Sequence, residues 1–248
     1  SKEDIDYIIE TNNINYPLVV KPIDSTAGTK VFVNIKNDHE LRNILDKKFL
    51  NQKIYRSETQ KIMIEDYIDG VDHRILCYKD NVLDIIKRTP SYVIGDGYST
   101  IQQLVDKKNI QKKKLGHHPI KIDKYYLKKN KYDTKSIINK EEYLTVNPVS
   151  NFHKGAFIEI VPLKEIHPDN LTLFRKVNGY LDLELSGIDF LIKNIKKSYK
   201  TQKCAINEVN TSPNLDLHWF LRRHRKNSLE IPKRFLTLFF DIPNKSNA

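Results

Sequence analysis

Two apolar runs near the C-terminal end of the chain each carry polar residues that a buried strand rarely contains. Asp189 lies in the middle of Gly187–Leu191, and Glu208 and Asn210 lie two residues apart at the end of the next run. Because successive side chains of a strand point to opposite faces, Glu208 and Asn210 share one face. If the two runs pair as antiparallel strands, Asp189 joins them there. Three oxygen-bearing side chains then converge on one face of a sheet.

Such a set of oxygen atoms suits Mg²⁺, which prefers hard oxygen ligands and is commonly shared with substrate phosphates. The alternative is that Glu208 and Asn210 decorate a solvent-facing strand edge. Acidic groups that interrupt otherwise apolar strands are costly unless they are paired. The spacing alone therefore leaves a metal site and a solvated edge both open.

The rest of the chain alternates between short strand-like runs and amphipathic helices. Asn37 with Glu40, and Ser99 with Gln102, form pairs typical of a capping box at a helix start. His167 also precedes a helix, so His167 and His73 are interpreted as structural. The predicted strands are Leu18–Val20, Val31–Ile35, Ile62–Glu65, a hairpin of Asp72–Tyr78 with Val82–Arg88, Tyr143–Val146, Ala156–Val161, Ile188–Ile192 and Cys204–Val209. This pattern predicts an α+β protein with mixed sheets.

The composition is that of a basic globular protein. In 248 residues, 42 Lys and Arg face 31 Asp and Glu, which gives a net charge of +11 and favours anionic ligands. A chain of this length supports one large domain or two closely associated lobes. Much of the excess charge lies in residues 107–142, predicted as a Lys-rich insertion of one helix and long surface loops.

The cysteine content and hydropathy favour a cytoplasmic location. Cys77 and Cys204 are the only cysteines, and each lies in a strand-like run. We expect both to be reduced thiols, because a pair with this spacing forms no CxxC site. No apolar stretch approaches the length of a membrane span, so no membrane partner is expected.

Several short motifs, in order and spacing, resemble the ATP-grasp superfamily. Residues 206–213 resemble its closing metal motif, a Glu-x-Asn followed by a small residue and Pro. Leu18–Pro22 resembles its strand with a phosphate-contacting Lys, and Ile64–Ile68 resembles its adenine hinge. More narrowly, four segments resemble the ATP-grasp region of cyanophycin synthetases and bifunctional glutathione synthetases. These are Lys87–Pro90, Val93–Gly97, Ser99–Ile101 and His167–Asn170.

The resemblance implies the ATP-grasp fold, an α+β architecture of two lobes with mixed or antiparallel sheets flanked by helices. It places a small lobe at residues 1–70, with the phosphate loop and the adenine hinge. It places a large lobe at residues 71–248, with the metal site and the Lys-rich insertion near residues 107–142.

The resemblance also implies ATP and Mg²⁺ as ligands, with Asp189, Glu208 and Asn210 as the metal ligands. Arg74 and Arg88 are the candidate catalytic residues, because a guanidinium can hold a carboxylate or phosphate bidentately. Asp72 falls where the family places its acidic ribose contact. The candidate nucleotide-binding residues are Lys21, Ser25, Thr26, Gly28, Lys30, Glu65, Asp66, Tyr67, Ile68 and Asp72.

The sequence departs from the family in three places. The phosphate loop is poor in glycine, with Ser25 and Lys30 where further glycines are usual. The segment Val146–Gly155 contains no Arg, although relatives carry Arg there, so His153 or Lys154 are candidates to replace it. Relatives have a lobe before the Lys21 strand, so we expect that this chain either comes from a larger protein or lacks that N-terminal lobe. A homo-oligomer is the other expected partner.

Three hypotheses follow. The first is the core of an ATP-dependent carboxylate–amine ligase, cyanophycin synthetase-like, acting through an acyl phosphate on an amino acid or acidic peptide. The second is a Mg-ATP-binding module that has lost ligase activity, because of the altered loop and the missing Arg. The third, a basic nucleic-acid binder, is the weakest, because only Tyr125 and Tyr126 supply aromatic rings among the lysines.

Overall fold

The computed structural model describes residues 2–11, 14–23, 30–46, 61–221 and 230–240. The chain divides into two compact units, residues 1–67 and 68–248. The lobes expected at residues 1–70 and 71–248, with their assigned roles, stay a prediction.

The first unit contains a three-stranded antiparallel sheet in the order β2-β1-β3. Its elements are α1 (Lys2–Thr11), β1 (Leu18–Pro22), β2 (Phe32–Ile35), α2 (Asp38–Ile44) and β3 (Ile62–Asp66). The predicted cap of α2 is confirmed, because the Asn37 side chain accepts a hydrogen bond from the Glu40 backbone N–H. Val20, Ile35, Leu41 and Ile44 are buried and form the apolar centre of this unit.

The second unit is built on a five-stranded antiparallel sheet in the order β10-β9-β4-β5-β8. Its strands are β4 (Val71–Tyr78), β5 (Asn81–Thr89), β8 (Phe157–Ile160), β9 (Leu185–Ile192) and β10 (Cys204–Asn210). The predicted hairpin of β4 and β5 and the antiparallel pairing of β9 with β10 are both confirmed.

The two faces of this sheet have different surroundings. On one face, Ile75, Ile85 and Phe190 pack with Phe174 of α5 (Pro168–Tyr180) in the main apolar core. On the opposite face, α6 (Asp216–Phe220) and α7 (Glu230–Phe239) cover one end, and Ile231 of α7 packs on that end. The remainder of this second face carries the polar residues of the candidate site.

The Lys-rich segment differs from its prediction, because it is part of a small subdomain with its own core. The subdomain contains β6 (Ser91–Ile94), α3 (Ile101–Lys114), α4 (Lys124–Lys129) and β7 (Tyr143–Asn147), with β6 and β7 paired antiparallel. Its core is formed by Val93, Ile101, Leu104, Val105, Ile120, Leu127, Ile138, Leu144 and Val146. The predicted helix and loops are present, but a second helix, α4, lies between the loops, and the loops contribute Ile120 and Ile138 to this core.

Two details of α3 also correct the sequence prediction. The capping box is formed by Thr100 and Gln103, and not by Ser99 and Gln102, because Ser99 donates its hydroxyl to Asp96 at 2.7 Å. Lys112 is buried, with Nζ 3.4 Å from the Ala156 carbonyl oxygen and 4.3 Å from the Phe157 ring centre. Burial, together with the positive charge of Lys108, lowers the pKa of Lys112 to about 8.

The register between β10 and β9 skips one residue of β10. Ile206 lies opposite Phe190 and Glu208 lies opposite Asp189, so Asn207 is accommodated in a β-bulge. Because a bulge adds one residue to one strand, the usual alternation of faces is reset after it. Glu208 consequently shares a face with Asp189, while Ile206 and Val209 both pack on the main core.

Both cysteines are free thiols, with Cys77 buried and Cys204 half-buried. In the described part of the chain, no helix is both long enough and apolar enough to cross a membrane.

Candidate functional site

The register of the five-stranded sheet brings the predicted metal ligands to one face. Glu208 lies directly opposite Asp189, and Asn210 lies opposite Gly187. Asp189 is in turn opposite Arg74 on β4. Because directly opposed residues of antiparallel strands point to the same side, these side chains share the face not covered by α5.

Asp189 is the centre of a buried group of ion pairs. Its carboxylate lies 2.5 Å from Arg74 Nε and 2.9 Å from Arg88 Nη2, and it is only 6% exposed. Arg88 Nη2 also donates a hydrogen bond of 2.7 Å to Asp72 Oδ1. The predicted ribose contact and both predicted catalytic arginines therefore belong to one cluster with the predicted metal ligand.

The charges of this cluster are coupled. Burial opposes the charge of Arg88, but Asp72 and Asp189 outweigh burial and raise the pKa of the guanidinium. Burial raises the pKa of Asp72, and the nearby Asp189 carboxylate adds to this effect against the influence of Arg88. The formal positive charges of Arg74 and Arg88 cancel the formal negative charges of Asp72 and Asp189. The exposed Glu208 then leaves an excess negative charge on this face.

The donor set fits a magnesium ion. Asp189 Oδ1 is buried and accepts no hydrogen bond of good geometry from the described residues, although Arg74 Nε is close. The Asn210 amide nitrogen donates to the Gly187 carbonyl oxygen at 3.3 Å, which leaves the amide oxygen as an acceptor. Among the described residues, no three His, Cys, Asp or Glu side chains cluster as a metal site. The predicted set is two carboxylates and one amide oxygen, which are donors of the kind that Mg²⁺ takes, and magnesium binding by them stays a prediction.

Gly187 lets the chain beyond the metal motif approach the sheet closely. A Cβ atom on this residue would lie 2.7 Å from Arg74 Nη1 and 2.8 Å from Pro213 Cβ. The Arg74 side chain and Pro213 thus both occupy the space that a larger residue would fill. Glycine is required at this position because of that close approach.

The predicted nucleotide-binding residues of the first unit are described in part. Lys21 Nζ forms an ion pair of 2.7 Å with Glu65 Oε1, across the pairing of β1 and β3. The Tyr67 backbone N–H donates to the Pro17 carbonyl oxygen at 2.9 Å. Asp66 ends β3, Ile68 begins the second unit, and Lys30 has a left-handed backbone with φ of +56°. Ser25, Thr26 and Gly28 lie outside the described residues.

The segment without Arg carries a basic turn beside a second histidine. Phe152–Lys154 form a short 3-10 turn, and the ring of His153 lies 4.6 Å from that of His118 between centres. Burial lowers the pKa of His118, as do the positive charges of His153, Lys121 and Lys112. The candidate substitutes for the family's Arg therefore lie in a positively charged neighbourhood.

One buried pair escaped the sequence analysis. Asp84 of β5 and His218 of α6 are both buried, and the His218 Nδ1–H donates to Asp84 Oδ2 at 2.8 Å. Because an ionised carboxylate only accepts hydrogen bonds, the proton is assigned to Nδ1. The signal was present, since Asp84 is an acidic residue inside the apolar run Val82–Ile86, as Asp189 is in its own run. Its partner lies 134 residues away and could not be identified from spacing.

Comparisons with known proteins agree with this architecture. Residues 1–92 match the RimK-like ATP-grasp domain. The chain is 29% identical over 211 residues to a cyanophycin synthetase of Synechocystis sp., covering 82% of this chain and 24% of that protein. It is also 29% identical over 215 residues to the glutathione biosynthesis bifunctional protein of Clostridium perfringens, covering 82% of this chain and 26% of that protein.

The fold is similar to that of a bifunctional glutathione synthetase from Pasteurella multocida, with a TM-score of 0.54 and 20% identity. That match covers 96% of this chain and 33% of the other. The predicted α+β ATP-grasp fold and the resemblance to this superfamily are confirmed. The chain spans about a quarter of the length of the curated relatives it matches, 24% in the case of the Synechocystis protein.

Proposed function

We propose that this chain, an ATP-grasp fold with a two-carboxylate metal site, is the core of an ATP-dependent ligase joining a carboxylate to an amine. The observation that carries the proposal is the pairing of Glu208 with Asp189 on the face that also holds Arg74 and Arg88. The kinship with cyanophycin synthetases and glutathione biosynthesis proteins supports the same reaction class. The substrate is an amino acid or an acidic peptide, in keeping with the basic charge of the protein.

In this proposal, Asp189, Glu208 and Asn210 would hold a magnesium ion, which would supply positive charge to neutralise the nucleotide phosphates. Lys21 binds the α- and β-phosphates after exchanging its present partner, Glu65. Glu65, Asp66, Tyr67 and Ile68 form the adenine hinge, and Asp72 accepts from the ribose or orients Arg88. Ser25, Thr26, Gly28 and Lys30 cover the phosphates.

The chemistry needs no nucleophile from the protein. A substrate carboxylate oxygen attacks the γ-phosphorus, ADP leaves, and the resulting acyl phosphate is attacked by an amine. Phosphate leaves as the amide forms, and the amine loses a proton. Arg74 and Arg88 are suited to orient the reacting carboxylate and to stabilise the charge of the transferring phosphoryl group. Their ion pairs with Asp189 hold both guanidinium groups before substrate binds.

Amino-acid-dependent release of ADP tests the proposal. With a panel of amino acids and acidic peptides, Glu208→Ala should lower the rate by at least about a hundredfold, because removing a charged transition-state contact costs several kcal/mol. Glu159→Gln is the matched control, since Glu159 is an exposed strand carboxylate paired with Lys87. A Glu208→Ala protein with the unaltered rate would contradict the proposal.

A second candidate function is nucleotide binding without ligation. It is supported by the segment Val146–Gly155, which contains no Arg and has only His153 or Lys154 as candidates to replace it, since a lysine point charge does not reproduce an arginine fork. Calorimetric binding of Mg-ATP, together with no ADP release for any member of the panel, would favour this function over the first.

A further inference from the structure

The chain that follows the metal motif crosses the candidate face as a strap, defined here as residues 211–218. It starts at Asn210 on β10. Asn210 lies opposite Gly187 on β9, Gly187 opposite Leu76 on β4, and Leu76 opposite Asp84 on β5. These four residues form one row across the sheet. At the usual strand spacing, the row is about 14 Å long.

The strap is attached to this row at two points. Pro213 and His218 are its buried residues, whereas Thr211, Ser212 and Asn214–Asp216 are exposed. Pro213 packs over Gly187, beside the Arg74 side chain. His218 reaches the far end of the row and bonds to Asp84. The strap therefore runs from one predicted metal ligand to the buried Asp84–His218 hydrogen bond at the far end of the row.

The next row on the same face contains the metal and substrate residues. Glu208, Asp189, Arg74 and Ile86 are successive partners across the strands, two residues along from the row beneath the strap. The strap consequently borders the predicted metal site at its β10 end, where Pro213 packs over Gly187. Pro213 limits where Arg74 can move, because both contact the space above Gly187.

We propose that the Asp84–His218 pair is the distal anchor of this strap and positions Asn210 and Arg74 for the bound metal nucleotide. Asp84 lies four residues from Arg88 on β5, roughly 13 Å along the strand, so it acts through the strap and not by contact with the metal. A side chain at that distance does not contact the metal, but it affects the metal site by holding the metal ligands in their orientation. The inference rests on the proposed metal site of Asp189, Glu208 and Asn210.

The physical reason concerns the end of β10. Asn210 is its last residue, so its backbone is not held by further pairing along the strand. The hydrogen bond from its side-chain amide to the Gly187 carbonyl oxygen is long, at 3.3 Å. Beyond Pro213 the strap is held where α6 packs on β5, and the buried hydrogen bond of His218 to Asp84 is the polar contact there. Breaking it would cost a buried carboxylate and a buried imidazole this hydrogen bond.

The test is the affinity for Mn²⁺, measured by electron paramagnetic resonance with a non-hydrolysable ATP analogue, alongside urea unfolding. His218→Leu and Asp84→Leu should each weaken Mn²⁺ binding by about tenfold, and the double variant no further. His218→Asn should retain most of the affinity, because its amide nitrogen takes the place of Nδ1. His218→Gln places its nitrogen near Nε2 and should not.

His73→Leu is the matched control, since His73 is also buried but bonds to the Val71 carbonyl oxygen on the face away from the strap. It should lower the urea midpoint and leave Mn²⁺ affinity unchanged. If His218→Leu behaves like His73→Leu, or if the Asn and Gln variants bind Mn²⁺ equally, the inference is overturned. Where His218→Leu does not fold, the comparison of Asn with Gln decides.

Glu208→Ala in the same assay separates this inference from the proposed function. A loss of Mn²⁺ affinity in Glu208→Ala beside none in His218→Leu overturns the anchor alone. Unchanged affinity in Glu208→Ala overturns the metal site itself, and the anchor with it.

Discussion

At the scale of single residues, the cluster around Asp189 decides how much of the second unit's stability depends on charge. Arg88 is shared by two carboxylates, the half-buried Asp72 and the buried Asp189, at 2.7 and 2.9 Å. Its neighbour Lys87 points to the other side of the strand and pairs with the exposed Glu159. The two basic residues are adjacent in sequence but differ in burial, which makes them a matched pair.

Arg88→Met should lower the free energy of unfolding by about 3–5 kcal/mol, because it leaves the buried Asp189 and the half-buried Asp72 without their shared cation. Lys87→Met should lower it by less than about 1 kcal/mol, as expected for an exposed pair. Urea unfolding of both variants at neutral pH measures the difference. Equal losses would mean that the cluster is solvated and does not depend on Arg88.

His73 should make stability depend on pH. Burial lowers the pKa of His73 to about 4, whereas an unfolded histidine titrates near 6.5. The unfolded state therefore takes up a proton first as pH falls below 6.5, so the contribution of His73 is complete above that pH and is lost below it. At pH 5 the loss should be about 2 kcal/mol.

The comparison of the protein with His73→Gln between pH 7 and pH 5 isolates this contribution from that of the carboxylates. The difference in the free energy of unfolding between the two proteins should shrink by about that amount. A constant difference across the range would mean that His73 is protonated or accessible in the folded state.

Individual residues differ most in how well the sequence predicts their contacts in the structure. Glu208, Asn210 and Asp189 could be brought together from alternation alone, because two residues on one strand fix a face. The ion pairs of Arg74 and Arg88 could not be assigned, since they depend on which strand lies beside which. The Asp84–His218 pair depends on contacts between distant segments, and no local pattern encodes such contacts.

At the scale of elements, the described strands other than β6 follow from local signals, whereas the sequence analysis did not identify α4, α6 and α7. The hairpin of β4 and β5 has an apolar pattern and a short polar turn, so its sequence predicts it well. The core of the Lys-rich subdomain joins Ile101 and Leu144, which lie in a predicted helix and a predicted strand, with Ile138, which lies in a segment without a periodic pattern. Burial that is shared among separated segments leaves no local periodicity to detect.

Gly155 and Gly179 give a test at this scale. A Cβ atom on Gly155 would lie 2.4 Å from Ile120 Cα, and its φ is +87°. Gly155→Ala should therefore lower the free energy of unfolding by at least about 2 kcal/mol, through both strain and the clash within the subdomain. A Cβ atom on Gly179, in α5, would have open space around it among the described residues. Gly179→Ala should therefore stabilise the protein by about 0.5–1 kcal/mol.

Thermal unfolding of the two glycine variants, beside the unaltered protein, measures both effects. Destabilisation by both substitutions would show that Gly179 has a packing role and would contradict the expected difference in sign.

At the scale of the whole molecule, the two units are contiguous stretches, and the chain passes from one to the other once, between Tyr67 and Ile68. The match to the RimK-like ATP-grasp domain extends over residues 1–92 and so includes that passage. The adenine hinge predicted at Glu65–Ile68 includes this passage from Tyr67 to Ile68. The functional roles assigned to each unit depend on ligands and remain predictions.

Nucleotide binding should stabilise the protein as a whole in a magnesium-dependent manner. At a hundred times the dissociation constant, Mg²⁺ with a non-hydrolysable ATP analogue should add about 2.7 kcal/mol to the free energy of unfolding. EDTA and Glu208→Gln should each remove most of this gain, whereas Glu159→Gln should not. A gain that persists in EDTA would separate nucleotide binding from the proposed metal ligands.

The bulge at Asn207 has a consequence for insertions and deletions in this strand. Removing Asn207 would restore a regular ladder in which Glu208 still faces Asp189, so such a shortened protein should keep its affinity for Mn²⁺. Removing Val209 would place Asn210 opposite Ile188, on the side of the main core, and abolish that affinity. Two single-residue deletions, two positions apart, should thus have opposite outcomes. Length variation is tolerated only where the strand already contains a surplus residue.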